Sequence, residues 1–119
     1  MKILELASKV TQCSHVSYWS YTPDTITCEN LYDLETSSYS KGYVIEREKF
    51  PIYFESITSK KQICAPDVFK NWELSEFKDN YFIQYDTKSE LDIPIFINGA
   101  LAGTVSFETS RYNRNWDND

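Results

Sequence analysis

The chain has 119 residues, 41% of them hydrophobic, 16% aromatic and 25% charged, which predicts one folded domain over 1–119 and excludes a disordered tail. A formal net charge of −6 speaks against nucleic acid or an anionic membrane surface as a partner, because both call for a basic face. No apolar run approaches the roughly 18 residues of a membrane span, and Glu5 interrupts the stretch a signal peptide would need, so the expected location is cytoplasmic, without membrane insertion.

Ile3, Leu6, Ala7 and Val10 recur at helical spacing, so residues 2–12 read as an amphipathic helix. At about ten residues it is marginal alone and must dock on something, within the domain or on a neighbour. From His15 to Tyr21 the period changes to two, with Val16 and Tyr18 on one face and Trp19 and Tyr21 on the other. Apolar bulk on both faces predicts a central strand covered on two sides. Thr22-Pro23-Asp24 turns the chain into a second strand whose Ile26, Cys28, Tyr32 and Leu34 share a face, giving an antiparallel hairpin.

Residues 36–42 read as loop by composition. Phe50, Tyr53, Phe54 and Ile57 then form an i, i+3, i+4, i+7 set. Pro51 is tolerated in the first turn of this second helix, and Lys60 and Lys61 suit its C-terminal end. A short strand over 62–65 follows. Leu74, Phe77, Tyr81 and Tyr85 place a third helix within 72–84. Residues 89–97 and 100–108 alternate around Asn98-Gly99, with Leu91, Ile93, Ile95, Ile97, Leu101, Val105 and Phe107 directed inward across a tight hairpin. Pro94 cannot donate to a ladder, so it implies a bulge or an unpaired edge. Asp117-Asn118-Asp119 suits the N-terminus of a further helix, so the chain reads as a piece of a longer protein lacking its C-terminal helix. The element order predicts an α+β fold, a central antiparallel sheet of five or six strands with helices on both faces.

The chemistry-bearing residues are sparse. Cys13, Cys28 and Cys64 are odd in number and have no Cys-x-x-Cys spacing, which predicts reduced, mostly buried thiols rather than disulfides or a metal site. Three glycines leave no phosphate-cradling loop. His15 is the sole histidine and reads as an ordinary, partly buried one, and no nucleophile elbow accompanies any serine. Glu90 and Asp92 lie two apart on one strand face; a carboxylate pair there is geometrically possible, but with no partner base the expected role is a solvated or hydrogen-bonded polar face. No catalytic residue, metal ligand or cofactor is assigned.

Four segments in register nevertheless carry a resemblance: Pro51-Ile52-Tyr53-Phe54, Ile63-Cys64-Ala65-Pro66-Asp67-Val68, Ser89-Glu90-Leu91-Asp92-Ile93-Pro94-Ile95, and the run from Gly99 to Glu108. Together they resemble a GAF domain, and Arg114-Asn115-Trp116 is similar to the form found in bacterial sensor histidine kinases and diguanylate cyclases. The resemblance implies a sheet that meets the terminal helices on one face and encloses a small-molecule pocket on the other. It implies a non-catalytic sensor that passes ligand state along terminal helices to an output kinase or cyclase in the same full-length chain, often as a homodimer. It would bring Tyr18, Tyr32, Tyr53 and Tyr81 around the pocket, with Asp67 on the loop that family ligands approach; the alternative role for the tyrosines is plain core packing, and for Asp67 capping. Where cyclic-nucleotide-binding members carry an Asn-Lys pair this chain has Glu108-Thr109, and it lacks the Cys-His dipeptide of bilin-binding members, so neither ligand is expected. The free methionine sulfoxide reductase of this fold places a cysteine before a Ser-x-Ser-Glu segment, and the stretch from Ile83 to Glu90 has none. The other readings left open are an interaction or dimerisation module with no ligand and, more weakly, a thiol redox enzyme.

Overall fold

Asn98 and Gly99 both adopt left-handed φ values, 53° and 81°, the combination that lets a two-residue turn match the twist of its flanking strands. The hairpin they close, β6 (Thr87–Ile97) and β7 (Ala100–Ser110), is half of the central sheet. The computed structural model describes residues 2–59, 62–78, 81–110 and 112–116. Lys60, Lys61 and the acidic residues 117–119, on which two expectations rest, lie outside the described residues.

The elements run α1 (Lys2–Thr11), β1 (His15–Tyr21), β2 (Thr25–Asp33), β3 (Ser38–Ser40), β4 (Val44–Glu46), α2 (Pro51–Ser59), β5 (Ile63–Ala65), two 3₁₀ segments (Val68–Lys70 and Trp72–Phe77), α3 (Tyr81–Tyr85), β6 and β7. The sheet order is β3-β2-β1-β7-β6-β5, with β4 also on β2 and the pairs antiparallel. The fold is α+β as expected, but the sheet has seven strands, because the stretch read as loop supplies the short β3 and the segment beyond it β4. The single helix expected over 72–84 is a 3₁₀ segment and then α3; Leu74, Phe77 and Tyr81 are still its buried stripe.

β1 is central and apolar on both faces. Trp19 joins a large cluster with Ile26, Phe54, Ile57, Leu74, Phe77 and Phe82 under α2, α3 and the 3₁₀ segments. Val16 joins a smaller one with Leu4, Cys13 and Tyr32 under α1. Two side-chain expectations are corrected. β2 carries a bulge, since Tyr18 pairs with Asn30 but Trp19 with Cys28. The extra residue reverses alternation, so Ile26, Cys28 and Leu31 face the large cluster whereas Tyr32 faces α1. In α1 the buried residues are Leu4 and Ser8, while Ile3, Leu6 and Val10 are exposed at 71%, 64% and 74%.

β6 overturns the sequence pattern outright. Ile93, Ile95 and Ile97 are the exposed row, and the face turned into the large cluster carries Glu90, Asp92 and Pro94. Polar groups of this kind are tolerated inside only when hydrogen-bonded.

Candidate functional site

The covered face of the sheet is acidic at its centre. Counted across the hairpin, Glu90 stands directly opposite Glu108, and Asp92 opposite Ser106. All four are buried, with Asp92 at 0% exposure and Glu108 at 2%. The Tyr53 hydroxyl donates to Asp92 Oδ2 at 2.7 Å and the Ser106 hydroxyl to Asp92 Oδ1 at 2.7 Å. The Tyr81 hydroxyl donates to Glu108 Oε1 at 3.2 Å. The Glu90 carboxyl hydrogen-bonds those of Asp92 and Glu108. The polar face is thus hydrogen-bonded within the protein, not solvated.

Such crowding makes ionisation unfavourable. Burial, then the neighbouring Asp92 and Glu108 charges, hold Glu90 well above the usual carboxylate range. Burial pushes Glu108 up to about 8. Glu90 is therefore the natural proton donor of the group. Burial first, and the adjacent carboxylates second, also raise the Tyr53 and Tyr81 phenols well above their ordinary value, so both stay neutral donors.

Three elements hold the aromatic cover in place. Tyr53 comes from the first turn of α2, whose Ile52 and Tyr53 amides donate to the Glu76 carboxylate at 3.0 and 2.8 Å, a cap supplied from the Trp72–Phe77 segment. Phe77 is the hub of the rings: it stacks on Phe50 at 4.7 Å, meets Tyr53 edge-on at 5.1 Å and lies 5.7 Å from Phe82. Trp19 is fixed by its indole N–H donating to the Ser17 hydroxyl at 2.8 Å.

Between cover and sheet lies a cavity of about 20 Å³ lined by Trp19, Ile45, Tyr53, Phe77, Tyr81, Phe82, Glu90, Ser106 and Glu108. That is room for about one water molecule. Two of the tyrosines expected at a pocket, Tyr53 and Tyr81, line it. Tyr32 packs in the α1-side cluster, and Tyr18 shares the Val16 face of β1, so neither reaches it. Asp67 instead caps the Val68–Lys70 segment, its carboxylate accepting from the Phe69 amide at 3.0 Å. Asp67→Ala is expected to cost about 1 kcal/mol of stability in urea denaturation and to leave the cavity residues' spectra unmoved. Trp19, Glu90, Ser106 and Glu108 were not anticipated at the site.

At the end of the carboxylate row, His15 connects the interior to a polar surface hollow lined by Ser14, Asp33, Gln84 and Asp86. Its Nε2 is 3.3 Å from Asp33 Oδ2, and its Nδ1, without a hydrogen-bond partner, is 3.9 Å from Glu108 Oε1. Cys64 is half-buried. Cys13 and Cys28 are buried, and burial pushes the Cys28 thiol up to about 12, which keeps it protonated and a poor nucleophile at neutral pH. Among the described residues no group of three or more His, Cys, Asp or Glu side chains is arranged to hold a metal ion, and no helix is long and apolar enough to cross a membrane.

No family model and no curated protein matches the chain. Solved structures do. The blue-light absorbing form of the Thermosynechococcus elongatus PixJ GAF domain superposes with a TM-score of 0.77 at 19% identity, covering 97% of this chain and 69% of that one. The GAF domain of a two-component sensor histidine kinase from Bacillus halodurans gives 0.64 at 18% identity over 97% and 79%. The A. aeolicus nlh2 GAF domain in an inactive state gives 0.65 at 10% identity over 94% and 67%. The chain has the GAF fold.

Proposed function

We propose that the domain is a non-catalytic sensory and regulatory module of a bacterial signalling protein. The covered face of its sheet receives the signal, and helices at the domain's ends carry it to an output kinase or cyclase in the same full-length chain. The observation that carries this reading is the division of labour between the two faces. One face gathers the buried carboxyl groups, the cavity and a cover made of short helical pieces; the other is largely apolar, backed by α1, whose outer stripe of Ile3, Leu6 and Val10 is left exposed. A contiguous exposed apolar stripe is a feature of association surfaces, which suits a helix that pairs with a second copy. The GAF neighbours, one of them from a sensor histidine kinase, support the same assignment.

In this reading a small-molecule ligand contacts Tyr53 and Tyr81 and enters by displacing the aromatic cover, because the closed cavity holds only a water. A ligand of that kind acts through its higher affinity for the opened arrangement. The water-sized cavity equally favours a second reading, an interaction module with no ligand. A panel of cyclic nucleotides, amines, short carboxylic acids and tetrapyrroles, screened by thermal shift and by NMR, separates the two. The sensor reading expects at least one compound to raise the melting temperature and to move the amide signals of Trp19, Tyr53 and Tyr81. If the whole panel is silent and the protein self-associates in a way that Leu6→Glu abolishes, the second reading holds instead.

A further inference from the structure

Three carboxyl groups meet on the covered face, and among the described residues no lysine or arginine side chain pairs with any of them. Several elements packed around them contribute titratable groups, while β4, β5 and the Trp72–Phe77 segment present Ile45, Ile63, Ala65 and Phe77. β6 supplies Glu90 and Asp92, and β7 supplies Glu108. α2 supplies Tyr53, and α3 supplies Tyr81 with Tyr85 behind it. β1 supplies His15, backed on β2 by Asp33, and Cys28 of β2 lies under the same cover. Among the described residues the basic side chain nearest the cluster is His15, whose Nδ1 stops 3.9 Å from Glu108 Oε1.

We propose that Glu90, Asp92 and Glu108 form a proton-operated latch between the sheet and the aromatic cover, closed while Glu90 carries its proton and opened to bulk water when that proton leaves. With the proton present, Glu90 is a donor between two acceptors, and the Tyr53 and Tyr81 hydroxyls tie α2 and α3 to the same acceptors. Its loss sets like charges directly opposite each other across the hairpin, a destabilising arrangement, in a space that holds about one water. The relief available is to lift the cover and hydrate the carboxylates. His15 lies between the surface hollow and Glu108.

The proton balance fixes the direction. A carboxyl that stays protonated in the fold but ionises near pH 4.5 in the unfolded chain stabilises the fold fully below that pH. The contribution is lost as pH rises through the folded value, about 8 for Glu108. While one proton separates the two states, the folding equilibrium constant falls about tenfold per pH unit.

The test combines urea denaturation at pH 5, 6, 7, 8 and 9 with acrylamide quenching of Trp19 in a Trp72→Phe, Trp116→Phe background. Expected are falling stability from pH 5 to 8 and rising access to Trp19, with both slopes flattened by Glu90→Gln and by Glu108→Gln. A flat profile in the parent protein overturns the latch, as does a slope that survives both glutamine variants and disappears in His15→Gln. If neither glutamine variant folds, the parent's quenching profile decides. This inference deepens the reading of the covered face as the sensing face. A flat pH profile beside a positive compound screen removes the latch alone, and a silent screen beside the expected slopes removes only the ligand.

Discussion

Phe77→Ala is expected to lower stability by about 3–5 kcal/mol, a large part of the ~5–15 kcal/mol that holds a domain folded. Phe77 is 4% exposed and has ring contacts to Phe50, Tyr53, Tyr81 and Phe82. Its loss therefore removes ring–ring packing on several sides as well as buried area. The void left behind adjoins the existing cavity, whose lining already includes Phe77. The hole of phenyl size is walled on several sides by rings and can take up benzene-like probes, so benzene or indole is expected to restore part of the lost melting temperature in the variant and to leave the parent unchanged. Equal unfolding midpoints for variant and parent would show that the cover does not depend on this ring.

Gly103→Ala has an expected cost of about 3 kcal/mol, unusual for the addition of one methyl group. Gly103 lies in the first half of β7, opposite Ser20 at the end of the β1–β7 ladder and Ile95 of β6. A Cβ there would press on the Trp19 carbonyl oxygen, a backbone atom, and would sit 3.0 Å from the Tyr18 hydroxyl. The side chain of Tyr18 could swing away, but the carbonyl can yield only if β1 moves off β7 at the centre of the sheet. The check is chemical denaturation together with hydrogen exchange. Protection is expected to fall first at the β1–β7 ladder and last at α2.

Much of the architecture was legible because it depends on local signals. Asn98-Gly99 fixed the hairpin, and Phe50, Tyr53, Phe54 and Ile57 fixed α2. The four segments read as GAF-like led to the fold the solved structures share. What was illegible depends on single-residue irregularities. The bulge opposite Trp19 turned Tyr32 toward α1 and away from the cavity. In the β6–β7 hairpin, counting outward from Ile97 opposite Ala100 would place Glu90 against Phe107. The register shift between Ile95 and Phe96 places it against Glu108 and creates the carboxylate cluster. Pro94 implies a bulge or an open edge in β6, and the shift falls one residue beyond it; no composition or periodicity signal marks the bulge opposite Trp19. The isoleucine row misled for a related reason: alternation shows that β6 has two different faces but not which one the helices cover. Tyr53 and Tyr81, which the GAF resemblance would bring to a pocket, line the cavity, on helical stripes that point the same way whatever the register of the sheet.

Pro94 bears on how this domain meets other molecules. Among the described residues, β5 accompanies β6 only as far as Asp92 and no other strand pairs with that edge beyond it, beside exposed Ile93, Ile95, Phe96 and Ile97. Such a ribbon would ordinarily invite a foreign strand to extend the sheet and seed fibrous growth. Proline has no amide hydrogen to offer an incoming strand, so a continuous intermolecular ladder is broken there. Encounters at that rim are left to side chains meeting face to face, a mode that can be reversed.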